Sequence, residues 1–278
     1  MNLTKRLEPR IAQEEQYLAQ TTQYLGPSAD LVCDIEDAYK SITPLVRLAG
    51  TLATTPAGEV DWSDENSVLF MAQTVIHREL MMSCMLLTKS SLAALRMHRG
   101  ESLIHLRKAI ESCAFAARIG KHPELCQRWC EAGRDGPGEE SKYRAYRRAF
   151  EPRDVFPKVG HPDYDPLLAE LDGTSYLCSK LIHGSIFGMM GHFGDNDATK
   201  HRSYLDRVTF SDMDIDDLAG TFFFVLNTHM ALLRLFGRIL QPHMTDFGAW
   251  EKGYVALAEK LKVHTQEWLP AAFQKTTP

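Results

Sequence analysis

Two short stretches hold residues whose types and spacing could do chemistry. In Leu106-Arg107-Lys108-Ala109-Ile110-Glu111, an arginine and a glutamate stand four apart, which puts both on one face of a helix. Their neighbours Leu103, Ile104, Ile110, Ala114 and Phe115 are apolar. A charge on an apolar helix is costly to bury unless it meets its opposite. One reading is therefore a structural ion pair tying two helices together. The other is a polar pocket floor, with Arg107 holding an anion or Glu111 serving as base or ligand. The second stretch is Ser175-Tyr176-Leu177-Cys178-Ser179-Lys180-Leu181-Ile182-His183-Gly184. Tyr176, Ser179 and His183 fall at i, i+3 and i+7, one helix stripe, so two hydroxyls and an imidazole point the same way. Gly184, Gly188 and Gly191 follow. A glycine inside a helix costs about 1 kcal/mol against alanine, and what it allows in return is close approach of a neighbouring helix or of a ligand. The expectation is that Arg107, Glu111, Tyr176, Ser179 and His183 meet in space as one ligand-binding pocket.

These stretches resemble the L-R-x-x-x-E helix and the later Y-x-x-S-x-x-x-H helix of a family of uncharacterised, mainly bacterial all-helical proteins. The matching residues are Leu106, Arg107, Glu111, Tyr176, Ser179 and His183, within a span of about residues 63–240. The resemblance implies an all-helical fold and no defined activity. A second, weaker resemblance is to helical ribonucleases of the HEPN type, in which an arginine four to six residues before a histidine activates the RNA 2′-hydroxyl. Arg99 and His105 fit that count, although Gly100 is expected to separate two helices there and a polar residue normally follows the arginine. The catalytic candidates are accordingly His183, Glu111, Arg107 and His105.

Other chemistries find less support. A dinuclear metal bundle needs Glu-x-x-His pairs, and the chain has none; His77-Arg78-Glu79 and Glu101 with His105 are the nearest approaches. Haem would have His183 or His229 as axial ligand, but a lone histidine on an apolar helix is more often a core residue. Cys126 and Cys130, four apart with no second pair, do not match zinc spacing. Ser179 and His183 share a helix and no G-x-S-x-G elbow exists, which disfavours a serine hydrolase. No G-x-G-x-x-G or G-x-x-x-x-G-K-[ST] loop occurs. Neither a metal nor another cofactor is expected.

The elements that would position these residues are helices. Residues 3–25 keep helical spacing and stop at Gly26-Pro27. A second helix is read over 29–53, kinked or restarted at Pro44, followed by a loop at 54–62. Ser63 or Asp64 caps a long apolar helix expected to reach Arg99, about 55 Å. Gly100 breaks it, and a partner helix follows at 101–119. Shorter helices are read at 123–132 and 139–150, the second basic, with the loops 133–138 and 151–165 beside them. Apolar helices follow at 167–193, with an interruption near Gly173, and at 213–240. The last helix spans 246–268. Residues 194–212 read as the least helical segment, with 203–210 extended.

The whole reads as an all-α fold, a bundle of about four long helices with shorter peripheral ones. Residues 1–62 form an N-terminal helical arm and 63–270 the main bundle. With 278 residues and 44% hydrophobic content, the chain can bury a sizeable core. A net charge of −5 gives no overall nucleic-acid footprint. Six cysteines without a leader-like N-terminus suggest free thiols and a cytoplasmic setting. The uncharged run Leu218 to Leu233 is too short to span a bilayer and reads as a buried helix. The expected function is that of a helical protein with a polar pocket in bacterial stress or defence. A HEPN-like ribonuclease and a small-molecule, metal or haem binder are the alternatives. The expected partners are a second copy and a small molecule or RNA, with no membrane.

Overall fold

The fold comes from a computed structural model, which describes residues 3–48, 50–132, 139–182 and 215–268. Among these residues the protein is all-α, with two isolated β-bridges and no strand. The helices are α1 (Leu3–Leu25), α2 (Leu31–Ile42), α3 (Glu65–Leu95), α4 (Arg99–Lys121), α5 (Cys126–Glu131), α6 (Glu139–Ala149), α7 (Pro152–Val155), α8 (Pro166–Ile182), α9 (Ile215–Leu240) and α10 (Phe247–Trp268).

Helix α2 ends eleven residues before the expected boundary. Pro44 lacks an N–H and its ring crowds the preceding turn, so Ile42 closes the helix and a 3-10 turn follows at Thr43–Leu45. The chain is then extended at Val46, which bridges Met244, with the Arg47 N–H donating to the His243 carbonyl at 2.9 Å. Asp64 caps α3 as expected, its carboxylate accepting the Ser67 N–H at 3.0 Å.

The α3–α4 reversal also differs from expectation. Helix α3 stops at Leu95, and the left-handed residue is Met97, φ 63°, not Gly100. Gly100 lies inside the first turn of α4. The two helices form an antiparallel hairpin, the most extensive helix pair in the fold. Small buried residues line it, among them Ser83, Ser91 and Ala94 on α3 and Ser102, Ala109 and Ala116 on α4. Such side chains let two helices approach closely.

Helix α9 packs on α2, α3 and α4 and contributes Phe222, Phe223, Leu226, Leu233 and Phe236 to the core. Its apolar stretch, Asp217–His243, is long enough by length and composition to cross a membrane, but 67% of its most apolar window is buried inside the protein. Helix α2 shares this core through Leu31, Ile35, Tyr39 and Ile42, all fully buried. The C-terminal helix α10 closes the other side of α9 and α2. Its last turn is tied to the α1–α2 connection: the Trp268 indole N–H donates to Ser28 Oγ at 3.0 Å, and His264 Nδ1 lies 2.9 Å from the same hydroxyl.

The segment expected as one loop over 151–165 contains the short α7 and is clamped at its end. Asp163 accepts from Arg118 at 2.8 Å and from His122 at 2.7 Å, while Asp165 accepts from Arg238 at 2.8 Å. Burial raises the Asp163 carboxyl's affinity for a proton. The His122 hydrogen bond and the charges of His122, Lys121 and Arg118 outweigh that and hold it below the usual carboxylate range. Helix α8 runs through Gly173 without interruption. The expected continuation of that helix to 193, the expected loop at 133–138 and the expected extended segment at 203–210 lie outside the described residues.

Candidate functional site

Helix α4 carries the site. Its inner face, Leu103, Leu106, Ile110, Cys113 and Ala117, is buried in the core. Its outer face is covered toward the C-terminal half, where Phe115 meets Phe150 at 5.6 Å and Arg118 meets Asp163. Toward the N-terminal half Ile104 and Lys108 are exposed. Arg107 and Glu111 sit where that face emerges. They form the expected pair, with the Arg107 Nε–H donating to Glu111 Oε1 at 3.0 Å and both side chains a little over one-third exposed. The pair therefore lies within one helix and ties no second helix to the first.

Helix α8 runs beside this face. Its Cys178 thiol is pushed up to about 12 by burial, against a backbone hydrogen bond and the Arg107 charge, which pull it down. That pull places Arg107 within electrostatic reach of α8. Of the other expected pocket residues, Tyr176 and Ser179 are described. Tyr176 is 62% exposed, with the Lys180 ammonium 4.9 Å from its ring centroid. Ser179 donates its hydroxyl back to the Ser175 carbonyl at 3.1 Å. His183 lies outside the described residues.

A second polar cluster adjoins Glu111, and sequence reasoning missed it. Glu79 on α3 is a buried carboxylate, its side chain 8% exposed. Ser112 Oγ donates to one oxygen at 2.6 Å and Arg78 Nη1 to the other at 3.3 Å. The Arg78 guanidinium lies 4.7 Å from the Trp129 ring centroid, a cation–π distance. Tyr146 of α6 joins the two clusters. Burial, then Tyr143, Glu79 and Glu111, push its hydroxyl above the ordinary tyrosine value, which places it near both carboxylates. The available signal was His77-Arg78-Glu79 itself, two charges inside a long, largely apolar helix.

The histidines fall into two environments. His229 is fully buried in the core, with Nδ1 3.3 Å from Tyr39 Oη and Nε2 3.4 Å from Ser90 Oγ. Both nitrogens are thus engaged by hydroxyls, the environment of a core histidine. His105 sits at the other extreme, near the start of α4. Its Nε2 is 3.6 Å from Glu101, and its buried Nδ1 has no hydrogen-bond partner among the described residues. Because α4 begins at Arg99, Arg99 and His105 share one helix, contrary to the separation expected at Gly100. Six residues apart, they point about 120° away from each other. Arg99 pairs with Asp217 at 2.6 Å.

Among the described residues no cluster of three or more His, Cys, Asp or Glu side chains is arranged to hold a metal ion. Cys126 and Cys130 are free thiols with their sulfurs 3.8 Å apart. No protein family's sequence model matches this chain, and neither a curated protein nor a solved structure matches it.

Proposed function

We propose that this protein binds a small anionic ligand on the open part of the α4 outer face and catalyses no reaction there. The observation that carries this reading is Arg107. It uses Nε for Glu111 and, among the described residues, makes no hydrogen bond through its two terminal nitrogens. A guanidinium edge of that kind matches a carboxylate or phosphate in two parallel hydrogen bonds. Glu111 orients it, and Tyr146 lies within electrostatic reach of Glu111 and of Glu79, which accepts from Ser112. The reading keeps Arg107 and Glu111 from the expected pocket, adds Glu79, Ser112 and Tyr146, and does not use Tyr176, whose ring faces solvent.

Native mass spectrometry of the gently purified full chain tests this. The expected result is an excess mass in the wild type that vanishes on denaturation and is absent from Arg107→Ala. That substitution removes a half-exposed pair worth at most about 1 kcal/mol, so the fold should survive it. A wild type of bare-chain mass, or an excess that persists in the variant, refutes the reading.

A ribonuclease reading has one observation in its favour, the placement of Arg99 and His105 on a single helix with an unpartnered His105 nitrogen. It predicts that expression arrests growth of the producing cell and that His105→Ala restores it. Normal growth on wild-type expression, or arrest that survives the substitution, excludes it.

A further inference from the structure

We infer that the groove between α2 and α10 is a docking site for a basic amphipathic helix of another protein. It lies away from α4 and does not depend on how that face is read. The groove has a volume of about 690 Å3 and is open to solvent rather than enclosed. Its walls run from Asp34 on α2 to Leu45 in the turn that follows it, and from Ala249 to Lys260 on α10. Each wall spans twelve residues, about 16 Å or three helical turns. That shape suits an elongated occupant better than a compact molecule.

The lining favours a helix in particular. Ala38, Ser41, Ala249, Gly253 and Ala256 have short side chains or none. A β-carbon added at Gly253 would meet no atom within 4 Å. An incoming helix can therefore approach to ordinary packing distance, about 8–10 Å between axes. Two aromatic rings, Trp250 and Tyr254, are stacked with centroids 5.6 Å apart and supply the apolar surface. They are held in advance: Tyr254 donates to the Met230 carbonyl at 3.3 Å, and Trp250 is buried. This is the groove geometry that receives the apolar stripe of an amphipathic helix.

The charge of the occupant follows from the rim. Asp34 and Asp37 stand one turn apart on α2. Asp34 pairs with Lys260 at 2.6 Å, both being well exposed, a contact readily exchanged in water. Asp37 is exposed and, among the described residues, makes no ion pair or hydrogen bond, with only the Lys40 charge in electrostatic reach. Two carboxylates at this spacing complement lysines or arginines spaced by three or four on an incoming helix. A second copy of this chain would bring the same floor of short side chains and leave the groove unfilled.

The test uses the full chain and a fluorescent leucine–lysine peptide of about fourteen residues with helical amphipathic spacing, read by anisotropy. A scrambled peptide of the same composition is the control. The wild type should bind the amphipathic peptide, and Gly253→Leu and Asp37→Lys should each weaken binding at least about tenfold with unchanged circular dichroism. Gly253→Leu points into open space and gains helix propensity, so it should fold. Equal binding by either variant, or by the scrambled peptide, overturns the inference. So does a wild-type dimer in sedimentation that Gly253→Leu dissolves, since the groove would then belong to a second copy.

Discussion

Gly237→Ala should lower the thermal unfolding midpoint by about 3–4 °C, the largest effect expected of alanine at any helical glycine among the described residues. Gly237 lies on α9 where α10 crosses it. A β-carbon there would sit 2.0 Å from Trp250 Cη2, 2.3 Å from Cζ3 and 2.9 Å from Cζ2. A rigid buried ring cannot yield as the end of a flexible chain can, so α10 must shift. Overpacking of this kind costs about 1–3 kcal/mol and occasionally more. Alanine's better helix propensity returns about 1 kcal/mol. With the cost taken at about 3 kcal/mol the net loss is about 2 kcal/mol, which corresponds to the stated shift for a chain of this size. Two comparisons make the result specific. Gly173 and Gly220 are also helical but have nothing within 4 Å of an added β-carbon, so alanine at either should be neutral or stabilising. Trp250→Phe should reduce the penalty of Gly237→Ala, a coupling that a double-mutant cycle reads directly. Wild-type stability in Gly237→Ala would mean that the ring does not pack against that backbone.

The helical class and most helix positions were legible because they depend on local chemistry. Apolar spacing, the Asp64 cap and the break at Pro44 act within one or two turns. The Arg107–Glu111 pair was legible for the same reason, since both partners lie on one helix face. The α3–α4 reversal was not. Glycine is the residue that takes a left-handed turn at no cost, so Gly100 was the natural choice, yet Met97 takes it. Met97 is buried, and its packing offsets a backbone conformation disfavoured for a side chain of that kind. That difference of three residues matters for the site. Where the hairpin reverses sets which residues face each other along it, and the observed register pairs Glu79 with Ser112 and Ser83 with Ala109. A reversal at Gly100 slides one helix by about six residues, nearly two turns, and separates them. The buried carboxylate was therefore invisible in the sequence although its parts were in view. The α2–α10 groove was hidden for a related reason: its two walls are separated by two hundred residues of chain, and nothing local says they are neighbours.

Acid should unfold this protein earlier than its carboxylates alone require, because of His229. Burial pushes its imidazole down to about 3 from an ordinary value of 6.5. The hydroxyls of Tyr39 and Ser90 satisfy the neutral ring. In the unfolded chain the ring protonates below about pH 6.5, whereas in the folded protein it stays neutral to about pH 3. Between those limits the unfolded state binds more protons, so stability is fully present above pH 6.5 and declines as pH falls. The decline is about 1.4 kcal/mol per unit, or roughly 2–3 kcal/mol at pH 4.5. Other groups titrate in the same range. His77, half-buried, is shifted in the same direction, and Asp163 loses its contribution at lower pH still. A difference measurement separates them. His229→Gln keeps a hydrogen-bonding side chain for Tyr39 and Ser90 but cannot take up a proton. Urea unfolding of both proteins at pH 7 and pH 4.5 should show the wild type losing about 2–3 kcal/mol more than the variant over that interval. Parallel losses would mean that His229 accepts a proton in the folded state, and that the core around α2, α3 and α9 admits water or a counter-charge.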